Sequence, residues 1–140
     1  MPYSDELLSE IYDKTSGYCH LCGKKLAFRN YGNAGSKGAW EVEHSMARAN
    51  GGSDGLNNLY SACIPCNRDK STTRTRAARA WFGRTRAPLS RERRKQAKID
   101  NSIAGGIVGF LIGTMTGPGW PVIGAIIAAR LGYRANPDGM

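Results

Sequence analysis

The stretch WEVEHSMARANGGSDGLNNLYSACIPCNRDK, residues 40–70, decides how this chain is read. WEVEH at 40–44 alternates and is bounded by glycine, so it predicts a strand. Residues 45–58 hold Asn50-Gly51-Gly52-Ser53-Asp54-Gly55 and predict a loop. LYSAC at 59–63 predicts a second short strand. A helix is expected to start near Pro65 or Cys66 and to run on to Phe82.

Working outward, the Cys63/Cys66 pair has a counterpart forty residues upstream, Cys19/Cys22. Two residues between cysteines let one turn aim both sulfurs at one ion, and zinc takes four such ligands in a tetrahedron. All four cysteines of the chain are used. Such a closed site is structural, which suits a domain of about 70 residues that can build only a marginal core. The N-terminus MPYSDELLSE is polar and shows no secretory signal, so a reducing compartment and a metal are expected rather than disulfides. His20 lies between the first two cysteines and reads as a solvated spacer, because the ligand set is full. Leu7, Leu8, Ile11 and Tyr12 share a face of a short N-terminal helix, residues 5–14.

The motif order of residues 7–72 resembles the HNH endonuclease family in its zinc-containing branch: Glu43-His44, Gly51-Gly52, Asn58-Leu59, then Cys63-x-x-Cys66-Asn67 and Lys70. The resemblance implies an α+β fold, a small zinc-pinned ββα-metal domain, and hydrolysis of DNA phosphodiester bonds. It implies His44 as general base, Glu43, His44 and Asn67 around a catalytic Mg2+ or Mn2+, and Asn58 as the residue that orients the histidine. The chemistry agrees. Hydrolysis needs an activated water, a Lewis acid on the phosphate and help for the leaving oxygen. Histidine is the natural base at pH 7, and only His20 and His44 are present. Two oxygen donors leave room for phosphate and water around a hard cation. Asn57 competes with Asn58, which directly precedes Leu59. Two departures stand out: Ala47 occupies a position where the family usually has proline, and Asn67 replaces a third-motif histidine. A non-catalytic zinc module that binds DNA is the alternative.

Of 140 residues, 20 are Lys or Arg and 11 are Asp or Glu, for a formal net charge of +9. Residues 1–70 are neutral in sum, residues 71–100 carry +8, and 101–140 carry +1. The length excludes a large multi-domain enzyme, and the charge excludes an acidic solvating protein. The basic stretch predicts a polyanionic partner, DNA or an anionic membrane. Arg68, Lys70, Arg74, Arg76 and Arg79 are the expected phosphate contacts. A second basic helix over 90–100 is expected, capped by Ser90, and Trp81 and Phe82 are expected to close the small core.

Residues 103–129 hold no charge, and Gly105, Gly109, Gly113 and Gly117 recur every four residues. Gly117-Pro118-Gly119-Trp120-Pro121 splits the run into pieces too short to span a bilayer of ~30 Å at ~1.5 Å per residue. A helical hairpin fits, and the segment resembles glycine zippers of membrane-associated proteins. Membrane insertion is the first expectation. A soluble hairpin or a self-associating stalk through the zipper, a single bent span and a membrane-disrupting role stay open. The expected organisation is 1–72 nuclease domain, 73–100 basic extension, 101–133 apolar hairpin and 134–140 tail. The expected location is the cytoplasmic side of a membrane, or else the cytoplasm.

Overall fold

Ser4 starts the first regular element. Its hydroxyl accepts from Leu7 N (3.3 Å), and Asp5 and Glu6 place negative charge in the first turn of helix α1, Asp5–Asp13. In this computed structural model, which describes residues 3–114 and 120–138, Leu8 and Ile11 of α1 are buried. The knuckle that follows closes with Gly23 N donating to Cys19 O (2.9 Å), and Gly23 takes a left-handed φ of 77°.

Strands β1, Trp40–His44, and β2, Leu59–Cys63, pair antiparallel, with Trp40 opposite Cys63 and His44 opposite Leu59. The chain is α+β, with a two-stranded sheet and a four-cysteine cluster. Trp40 is fully buried at the centre of the core, ringed by Tyr12, Phe28 and Tyr31, and its Nε1 donates to Phe28 O (3.0 Å). Leu8, Ile11, Leu21, Leu26, Leu59, Ala62 and Ala78 complete this cluster. Burying a side chain of Leu or Ile size contributes about 1.5–3 kcal/mol, so so few residues give a thin core.

The long helix expected to run to Phe82 is two. Helix α2, Ile64–Lys70, ends at Ser71, whose positive φ of 47° breaks the helical path, and helix α3, Thr75–Ala80, starts afresh. Trp81 and Phe82 do not close the core; they are 55% and 42% exposed.

Two compact units divide the chain, Met1–Arg91 and Glu92–Met140. Helix α4, Arg91–Thr114, carries the basic residues and the first three spaced glycines on one continuous helix that begins just after Ser90. Helix α5, Trp120–Arg134, follows. A Cβ on Gly105 would strike Ala128 O, one on Gly109 Gly124 O, and one on Gly132 Asn101 O. Gly117 and most of the GPGWP interruption lie outside the described residues. Among the described residues, no helix is long and apolar enough to cross a membrane.

Candidate active site and metal centre

The four cysteines come from two places, the knuckle (Cys19, Cys22) and the β2–α2 junction (Cys63, Cys66). Their Sγ atoms all lie within 4.8 Å of one another, and Cys22 and Cys63 are 3.7 Å apart. None forms a disulfide. A tetrahedron with zinc–sulfur bonds of ~2.3 Å has edges of about 3.8 Å, so the donor set fits zinc. Hydrogen bonds with Cys22, Cys63 and Cys66 pull the Cys19 thiol down, while Cys19, Cys22 and burial push Cys63 up. Sulfurs this close ionise together only around a cation. Zinc here would tie α2 to the knuckle and so hold both edges of the sheet.

Successive strand residues face opposite ways, and β1 ends on that rule. Glu43 turns inward. Its Oε1 lies 2.6 Å from Lys70 Nζ and its Oε2 2.5 Å from His20 Nε2, with all three side chains essentially buried. The His20–Glu43 contact is close but poorly aligned as a hydrogen bond. Burial works to raise the Glu43 pKa, yet His20 and Lys70 outweigh it and hold the carboxyl below the usual range. His20 is therefore no solvated spacer. Its ring stacks on Tyr60 at 4.9 Å, and Arg79 donates to its carbonyl (2.9 Å) and reaches Nδ1 (3.1 Å). Its position inside the knuckle carries it onto the sheet, where its N–H bonds Ser61 O (3.0 Å).

His44 turns outward. Its Nε2 lies 2.7 Å from Asp54 Oδ1, and Arg48 donates to that same oxygen through Nε (2.9 Å) and Nη2 (2.6 Å). The bond to His44, and then Arg48, hold the Asp54 carboxyl below its ordinary value. Neither Asp54 nor Arg48 was expected at the site. The available signal was an acid in a glycine-rich loop that must fold back on the strand end it leaves. Gly52 permits that closure, since a Cβ there would overlap Met46 O.

Asn58 clamps the loop. Its Oδ1 accepts from Met46 N (2.7 Å), and its Nδ2 donates to Met46 O (3.0 Å) and Ser53 O (2.8 Å). It touches the backbone two residues beyond His44 rather than the ring. Asn57 makes no such clamp; it lines a neighbouring groove. Ala47 has φ −58°, the value a proline ring enforces, so the loop takes a proline-compatible path without proline. Asn67, on α2, donates through Nδ2 to Glu41 Oε1 (2.9 Å).

Glu43, His44 and Asn67 line one cavity of about 200 Å³, together with Val42, Ala47, Arg48 and Ser71. Ala47 also borders a larger groove of about 820 Å³, lined by Ser45, Asn50, Asn57, Thr72, Arg74 and Arg76 among others. Exposed Arg68 borders a different groove, beside Lys24 and Phe82. Two of the expected phosphate contacts need correction. Lys70 is 1% exposed and is spent on Glu43 and His44 O (3.0 Å), and Arg79 is spent on His20. Charge gave their sign, but pairing with buried partners turned both inward.

The family model described as HNH endonuclease matches residues 19–73. No curated protein and no solved structure matches the chain. The matched segment spans the knuckle, both strands, the loop that carries Asp54 and Asn58, and α2. Residues 19–73 are thus similar to an HNH endonuclease domain, and they carry four cysteines positioned to bind a metal.

Proposed function

We propose that the first unit is a metal-dependent endonuclease that hydrolyses DNA phosphodiester bonds, with zinc as its structural metal. The observation that supports the reading is that His44, Glu43 and Asn67 all border one cavity beside the arginine-lined groove, although Glu43 itself turns inward. Glu43 and Asn67 offer the hard oxygen atoms that magnesium or manganese takes. Such a cation would supply positive charge to the scissile phosphate. Lys70 already sits on Glu43, so the carboxylate would be shared.

His44 is the general base. Asp54 Oδ1 can only accept, so its contact with Nε2 favours the tautomer with the proton on Nε2 and the lone pair on Nδ1, although Arg48 Nε also lies 3.2 Å from Nε2. Nδ1 takes a proton from water as the water oxygen attacks phosphorus, and the bond to the leaving oxygen breaks. Asn58 keeps the loop after His44 closed, which fixes the imidazole relative to the groove. Arg74 and Arg76 hold the phosphate backbone, and Arg68 meets it farther along. We also propose that residues 103–129 pair as a glycine-zipper hairpin that keeps the nuclease on the cytoplasmic side of a membrane.

A second reading has its own support. Glu43 is neutralised by His20 and Lys70, as in a module that keeps the fold and binds DNA without cutting it. Plasmid cleavage by the zinc-loaded full chain, with and without added magnesium or manganese, separates the two. Cation-dependent cutting that falls with Asn67→Ala supports the nuclease. Salt-sensitive binding without cutting under either cation supports the binding module.

A further inference from the structure

The glycine contacts between α4 and α5 have a register. Gly105 meets Ala128, Gly109 meets Gly124, and Asn101 meets Gly132, so one helix climbs as the other descends. The packing is backbone on backbone, with Gly124 so placed that a Cβ would lie 2.7 Å from Gly109 O. This close seam has a cost in exposure. With glycine inside, the large side chains point out: Ile107, Phe110, Ile112, Ile123, Ile127 and Leu131 are all about half exposed or more. A soluble monomer rarely shows an apolar surface of this extent.

The two ends of the pair differ. The end with Asn101 and Gly132 continues into Arg93, Lys95 and Lys98 on α4 and carries Arg130 and Arg134 on α5. There Lys98 Nζ stands 5.5 Å from the Tyr133 ring centre, and Arg94 pairs with Asp138. The end with Ile112 and Ile123 has no charged residue. From residue 101 to 114 the pair extends about 20 Å at ~1.5 Å per residue. That matches half a bilayer with its headgroups, about 20–22 Å, and falls short of a full hydrocarbon core of ~30 Å. A basic collar with tyrosine at headgroup depth suits an anionic surface.

We propose that α4 and α5 enter one leaflet of an anionic membrane, apolar end first, and stop at the arginine–lysine collar without crossing. This deepens the membrane reading of residues 103–129 and is independent of whether the first unit cuts DNA. The collar is the feature that selects lipid as the occupant, since a second copy would bring like charges together.

The test uses the zinc-loaded full chain with vesicles of phosphatidylcholine alone or mixed with phosphatidylglycerol. The chain is expected to sediment with the mixed vesicles, and Ile112→Asp is expected to lower the bound fraction about tenfold or more. Depth is read with brominated lipids in Ile112→Trp and Ile103→Trp chains, each against the parent's fluorescence. Deep bromines should quench the tryptophan at 112 more strongly, and shallow bromines the one at 103. Equal quenching at both positions would overturn the one-leaflet placement. So would absence of vesicle binding, with or without concentration-dependent self-association in sedimentation. Plasmid cleavage by the Ile112→Asp chain reads the nuclease separately and should equal that of the parent.

Discussion

Lys70→Met tests the buried network that holds the end of β1. Lys70 is 1% exposed, and its Nζ contacts Glu43 Oε1 at 2.6 Å and His44 O at 3.0 Å. Methionine keeps the length of the stem but leaves a buried carboxylate with His20 as its remaining partner. Removing one member of a buried ion pair costs about 3–5 kcal/mol. For a domain of this size each kcal/mol shifts Tm by roughly 4–8 °C, so a fall of at least ~12 °C is expected. The assay is thermal unfolding of the zinc-loaded chain, followed by the near-ultraviolet signal of buried Trp40, with DNA binding measured at a temperature where both chains are folded. The salt slope of binding should stay the same, because Lys70 neutralises no phosphate. A Tm within ~2 °C of the parent, together with a salt slope smaller by about one unit, would refute the inward placement and restore Lys70 as a phosphate contact.

Three further outcomes are expected. Arg74→Ala and Arg76→Ala should each weaken DNA binding and lower the salt slope by about 1, with Tm unchanged, as read by binding isotherms across salt. Removal of zinc by a chelator should unfold the first unit, and any one of Cys19, Cys22, Cys63 or Cys66 changed to Ser should mimic this by circular dichroism, since such sites stabilise by on the order of 10 kcal/mol. The Glu43 carboxyl is held below its ordinary value, so its stabilisation is present above the unfolded value of about 4.3 and is lost as pH falls through the lowered folded value. The stability gap between the parent and Glu43→Gln, from denaturant titrations, should accordingly close toward acid pH.

Much of the frame was legible because it rests on local rules. Cysteine spacing announced the metal cluster, alternation announced β1, and the glycine-rich loop between two short strands announced their pairing. Glu43, His44 and Asn67 were read as one set, and they border one cavity, but Glu43 is already held by His20 and Lys70 and Asn67 by Glu41. What was not legible depends on direction. Adjacent strand residues face opposite sides, so Glu43 and His44 take different neighbours, His20 and Lys70 for one, Asp54 and Arg48 for the other. His20 looked redundant as a zinc ligand, yet stacking on Tyr60 requires a contact forty residues away in sequence. Lys70 and Arg79 showed their charge in the sequence but not the buried partners that claim it. The break falls at Ser71-Thr72-Thr73, residues of weak helix propensity, but the positive φ that turns the chain at Ser71 is not written in the sequence.

The most direct test is the rate of plasmid relaxation by the parent and by His44→Ala, with zinc content and DNA affinity measured on the same preparations. Loss of cutting, with one zinc per chain and unchanged affinity, is the predicted result. Equal cutting by the two chains would contradict the assignment of His44 as the base that activates water.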